Sequence, residues 1–98
     1  MLIQQGDVLL TKVDGIDLTH MKRHNEILAE GEATGHAHRV RGGGVFASDD
    51  GGLYVQSEPG CEVVHEEHGT SVLEPGIYRV GRVLEYDHFK EEAHEVRD

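Results

Sequence analysis

The sequence predicts an all-β fold, a small β-barrel or β-sandwich, and three observations carry that expectation. Turn signals punctuate the chain at Asp50-Gly51, Pro59-Gly60 and Pro75-Gly76, where Gly accepts positive φ and Pro presets the backbone for a turn. Between them run short segments of alternating apolar and polar residues, the period-2 pattern of half-buried strands. No heptad or internal repeat appears, so helix is expected only as a short C-terminal element over 89–98, where a frayed acidic tail is the alternative. At 98 residues the chain is expected to form a single domain, 1–98.

Taken in order, Leu2 to Val13 reads as a strand region interrupted at Gly6-Asp7, with Val8 and Leu10 on one face. Asp17 to His24 is polar and reads as a loop or one helical turn; His20 and His24 would share a face only if that turn is helical. Ile27 and Ala29 alternate ahead of a bend at Gly31. Gly42-Gly43-Gly44 lacks the Lys-Ser or Lys-Thr of a phosphate loop and reads as a hairpin end or bulge. Val45–Ser48 and Leu53–Ser57 flank Asp49-Asp50-Gly51-Gly52, a strong hairpin signal. Glu58-Pro59-Gly60 is expected to turn the chain again, and Cys61 to His65 to form another strand. The longest strand is expected over Ile77 to Tyr86, with Tyr78, Val80, Leu84 and Tyr86 facing inward.

Composition limits the function. Nine Lys and Arg stand against 19 Asp and Glu, a formal charge of −10, and no basic stripe is present to meet phosphates, so direct nucleic-acid binding is not expected. The same charge disfavours anionic membranes and favours cations or a basic protein surface. A lone cysteine, Cys61, leaves no intrachain disulfide. MLIQQGDVLL lacks the basic and apolar regions of a signal peptide, so the cytoplasm is the expected compartment. Without Trp, and with three Tyr and two Phe, the core must rest on Val, Leu and Ile. Such a thin core gains from burial against a second copy, which makes a homo-oligomer one way of completing it.

The chemistry-bearing residues are histidines. On a strand, His36, His38 and Val40 share one face while Ala37 and Arg39 share the other. A second pair, His65 and His68, lies in HEEHG; a bend after Glu66 is needed to bring both to one place. Neutral imidazole is a good metal ligand, and four of them suit Zn²⁺, or Fe, Mn or Ni with water completing the shell. Glu66 and Glu67 are candidates for ligand, tautomer-fixing partner or catalytic acid–base. The alternative is a metal-free polar network in which the imidazoles bond to Glu32, Glu66, Glu67 or backbone carbonyls.

TGHAHRV, HEEH, LEPGIYRV and EYD, in that order over residues 25 to 87, resemble a family of small uncharacterised bacterial and phage proteins. That resemblance implies no activity. Gly31 before His36 and His38, with Gly69 and Pro75-Gly76 later, is also similar to the two motifs of the cupins. The cupin likeness implies a small barrel and a bound metal, but His65 and His68 have no counterpart in it.

Two functions follow. The first is a metal-binding β-domain that acts as a metalloenzyme on a small molecule, with His36, His38, His65 and His68 as ligands, Glu66 or Glu67 as acid or base, and Arg39, Arg79 or Arg82 holding an anionic group. The second is an acidic interaction or inhibitor protein that docks on a basic partner, its histidines forming a structural network.

Overall fold

The structure, a computed structural model, describes the backbone of residues 1–30, 35–87 and 92–95 and, within these, side chains up to Val83. The strands are β1 (Leu2–Gln5), β2 (Val8–Val13), β3 (Lys22–His24), β4 (Ile27–Glu30), β5 (Ala37–Ala47), β6 (Leu53–Val64), β7 (Ser71–Val72), β8 (Gly76–Arg82), β9 (Leu84–Asp87) and β10 (Glu92–Glu95). Every pairing is antiparallel. The main sheet runs β1-β2-β8-β6-β5-β3, with β4 added to β5 and β7 to β6, and this path does not close on itself. β9 and β10 form a separate two-stranded sheet. The expected all-β class holds, and among the described residues there is no helix.

Alternation places the core. Val8 and Leu10 of β2 are buried, as are Val40 and Val45 of β5, Val55, Cys61 and Val63 of β6, and Tyr78 of β8, with Leu73 closing the cluster. Burying each Val or Leu contributes roughly 1.5–3 kcal/mol, so Val and Leu supply most of the driving force. Tyr78 is the largest fully buried side chain; its hydroxyl donates to the Glu74 carbonyl at 2.9 Å, which satisfies its polar end. Val80 packs against the cluster from its edge.

The predicted hairpin at Asp49–Gly52 joins β5 to β6; the Ser48 amide donates to the Gly52 carbonyl at 2.8 Å and Gly51 takes φ of 89°. Glu58-Pro59-Gly60, however, does not end a strand. β6 runs through it, because the register jumps from Arg41↔Glu62 to Gly43↔Ser57 and leaves Glu58 to Cys61 opposite Gly42 alone. Inside that bulge Pro59 has no ladder bond to lose. The glycine run is the other half of the same bulge: a Cβ on Gly43 would lie 2.5 Å from the Gln56 carbonyl oxygen and 2.8 Å from Cys61 Sγ.

Three other expectations are corrected. Lys22–His24 is a short strand against β5, not a helical turn, so no helix brings His20 and His24 to one face. The long strand of 77–86 divides into β8 and β9 at Val83, whose amide bonds to the Asp7 carbonyl at 2.9 Å. Glu92–Glu95 forms a strand with β9 rather than a helix. The expected bend at Gly31, the Glu32 contact, the inward faces of Leu84 and Tyr86, and the rest of the tail lie outside the described residues.

Candidate histidine site

His38 is the centre of the site. It lies one residue inside β5, opposite Ala29 of β4, and is buried with 4% of its surface exposed. Its Nδ1 lies 2.8 Å from Gln5 Oε1. The Gln5 amide nitrogen, in turn, donates to the carbonyls of Val63 and Gly69, each at 2.9 Å. With that nitrogen facing two acceptors, Oε1 must be the atom facing His38, so Nδ1 carries the proton and Nε2 keeps a free lone pair. Burial holds the His38 pKa below the ordinary histidine value, and neighbouring His65 pushes the same way against the opposing charge of Asp7.

The other three rings gather around it. Ring centroids are 4.4 Å apart for His38 and His65, 4.6 Å for His65 and His68, and 5.8 Å for His38 and His68. His36 approaches only His65, edge-on at 5.9 Å. β5 begins at Ala37, so the strand places His38, while His36 lies one residue before it rather than on a shared strand face; the chain leaves β6 after Val64 and curls so that His65 and His68 face each other. His65 Nδ1 accepts the Glu67 amide at 3.0 Å, so its neutral form carries the proton on Nε2.

The two glutamates differ. Glu66 Oε1 accepts the Ala37 amide at 2.9 Å and Oε2 accepts the Arg39 guanidinium at 2.7 Å. Those contacts, the Ala37 amide first, hold its carboxyl down to about 2. Both oxygens are thus committed to pinning the loop on the start of β5, and Arg39 is engaged with them. Glu67 keeps its carboxylate exposed, with Oε1 3.7 Å from His36 Nδ1. Arg79 lies on β8 opposite Tyr54 and Thr11.

Sequence reasoning marked Gly6-Asp7 only as a break in a strand region and missed its part in the site: the hairpin turn there forms the remaining wall. Asp7 Oδ1 is 3.7 Å from His38 Nε2, beyond hydrogen-bond reach. Its Oδ2 accepts from Arg82 Nε at 3.1 Å and also from Arg82 Nη2. Burial opposes ionisation of Asp7, but the hydrogen bond and charge of Arg82 outweigh it and hold the carboxyl below its usual range. Gly6, at φ of 60°, sits so close to His68 that a Cβ there would lie 2.7 Å from Nε2. Two residues in a tight turn leave no motif; their only signal was an acid and a glycine between two strands.

Among the described residues, no three His, Cys, Asp or Glu side chains already aim their donor atoms at a common point. The rings are adjacent, but rotation about side-chain bonds is needed before several of them can share an ion. Residues 4–83 match the family model described as Domain of unknown function (DUF8820). The chain belongs to that family. Its model spans Gln5, Asp7, all four clustered histidines and Arg82. No curated protein and no solved structure matches the chain. No described helix is long and apolar enough to cross a membrane.

Proposed function

We propose that this DUF8820 chain binds a divalent metal ion, Zn, Fe, Mn or Ni, through its histidine cluster and acts as a metalloenzyme on a small molecule. The observation that supports it is His38: a buried imidazole whose Nδ1 proton is fixed by Gln5, leaving Nε2 bare beside two further imidazoles. Such a partner behind the ring is the usual companion of a metal-ligating histidine. A purely structural network would be expected to give Nε2 a donor, and Asp7 at 3.7 Å is only an acceptor. His38, His65 and His68 are mutual neighbours and so the nearest ligand candidates, with His36 joining through His65. Glu67, not engaged as Glu66 is, is the better candidate for acid–base work on bound water.

The reading includes a barrel-like curl of the sheet around the site. Gln5 on β1 reaches the Val63 carbonyl of β6 although β2 and β8 lie between those strands in the sheet.

The test is calorimetric titration of tag-free, chelator-treated protein with Zn²⁺, Mn²⁺, Fe²⁺ and Ni²⁺, with elemental analysis of the protein as purified. Saturable binding of one ion per chain is expected. Absence of binding by all four would favour the second reading, an acidic protein docking on a basic partner, which the formal charge of −10 supports.

A further inference from the structure

We propose that Asp7 is the carboxylate ligand of this site, forming with His38 and His68 a set of two imidazoles and one carboxylate, and that Arg82 holds Asp7 in place when no ion is bound. The proposal rests on the metal-binding reading above and adds the donor set that selects the ion.

Three observations support it. First, His38 Nε2 and Asp7 Oδ1 face each other at 3.7 Å with no proton between them, since one is a lone pair and the other a carboxylate oxygen. Two donors each about 2.1 Å from one ion lie roughly 3.4 Å apart in a tetrahedral shell, and never more than about 4.2 Å. The observed gap lies inside that limit, so a cation fits between these atoms with little backbone movement.

Second, Gly6 leaves room for His68 against the turn that carries Asp7, with its ring centroid 5.8 Å from that of His38, so side-chain rotation brings it to the gap. A side chain at Gly6 would fill the volume that His68 Nε2 uses, so the turn that carries Asp7 also admits the second imidazole. Third, His65 is less free to bind. Its Nδ1 is engaged by the Glu67 amide and its neutral Nε2 carries a proton, so recruiting it costs a hydrogen bond or a change of tautomer. The carboxylate supplies the third donor without that cost.

Arg82 holds the Asp7 carboxylate from its other side. The guanidinium takes Oδ2 and leaves Oδ1 directed at His38. Strand register fixes this arrangement, because Val8 of β2 pairs with Arg82 of β8 one residue after the turn. A set of two histidines and one carboxylate leaves coordination positions open and suits Fe²⁺, Mn²⁺ or Zn²⁺ rather than a soft ion such as Cu⁺.

The experiment uses the full chain, stripped with chelator and titrated with Co²⁺, whose visible spectrum reports its ligands, followed by competition with Zn²⁺. Thermal melts establish that each variant is folded. Asp7→Asn is expected to bind Co²⁺ at least about 10- to 100-fold more weakly than wild type, with an altered visible spectrum at saturation, because a lost ligand costs no less than a lost supporting contact. Arg82→Gln, which frees Oδ2, is expected to bind at least as tightly as wild type. Should Asp7→Asn not fold, the comparison of Arg82→Gln with Asp7→Asn/Arg82→Gln isolates the carboxylate without leaving Arg82 unpaired. Unchanged affinity and spectrum on loss of the carboxylate, with binding abolished by His38→Ala, would overturn the role of Asp7 and leave the histidine reading intact. Failure of the wild type to bind Co²⁺ or Zn²⁺ at all would overturn both.

Discussion

Gln5 Oε1 lies 2.8 Å from His38 Nδ1, and through this one amide the first strand of the chain sets the tautomer of the buried imidazole. Gln5 is itself 3% exposed and makes two further bonds, to the Val63 and Gly69 carbonyls. Gln5→Ala therefore strands two buried polar groups, His38 Nδ1 and the Val63 carbonyl, releases the part-buried Gly69 carbonyl, and is expected to destabilise the fold by roughly 2–4 kcal/mol. Chemical denaturation measures that loss. Metal affinity should fall about 10- to 100-fold in the fraction that remains folded.

Glu66 contributes to acid stability. The Ala37 amide and Arg39 hold its folded-state carboxyl down to about 2, against 4.5 ordinarily. A depressed carboxyl contributes stability that is fully present above the ordinary value and is lost as pH falls from there through the folded one. The melting temperature of Glu66→Gln is thus expected to lie below wild type at pH 7, with the gap shrinking as pH falls from about 4.5 toward 2. A gap that stays constant over that range would mean the carboxylate charge has no part in holding the loop.

Gly6 is constrained by its backbone and by its neighbour. Gly6→Ala places a side chain at positive φ, a cost of about 1–2 kcal/mol, and drives a Cβ into His68. His68 must move aside, so Co²⁺ affinity is expected to drop more than the stability loss alone accounts for. Parallel melting curves and Co²⁺ titrations separate the two effects.

The histidines themselves should divide into two classes. His38→Ala is expected to remove most metal binding, whereas His20→Ala is expected to leave it unchanged, since His20 is exposed and contacts none of the four rings. Equal losses from both would point to nonspecific surface binding.

Tyr78 anchors the core. Tyr78→Ala should cost about 3–5 kcal/mol through the cavity it leaves, while Tyr78→Phe, which removes the hydroxyl's bond to the Glu74 carbonyl and its weak contact with Met1 Sδ, should cost about 1 kcal/mol. Urea unfolding of both variants against wild type checks the ratio.

What could be read in the sequence was set by local rules. Val8, Leu10, Val55, Val63 and Tyr78 alternate as half-buried strands must, and all five are buried. His36 and His38 were legible as a pair from their spacing, but β5 begins at Ala37, so only His38 takes its place from the strand and the two rings meet through His65. Pro59-Gly60 misled because its meaning depended on a partner strand: only opposite Gly42 does a turn signal become a bulge. Asp7 was invisible for the same reason. Nothing near it in the chain indicates that β2 pairs with β8 and that Arg82 and His38 come to meet it. Glu66 and Glu67, adjacent and chemically identical, were inseparable until the backbone showed which one met an amide.

The pairing of β2 with β8, Val8 opposite Arg82, also has a kinetic consequence. Contacts between distant parts of a chain form only after a large loop has closed, and folds dominated by them mature in milliseconds to seconds. β5 and β6 can zip together from their own hairpin, bringing His36 and His38 beside His65 early. The wall containing Asp7 arrives only when the two ends of the domain meet. On a ribosome, a chain that has not yet released β8 would hold His38 and His65 together without Asp7, so under the proposed ligand set selective uptake of a metal ion would mark the completion of folding.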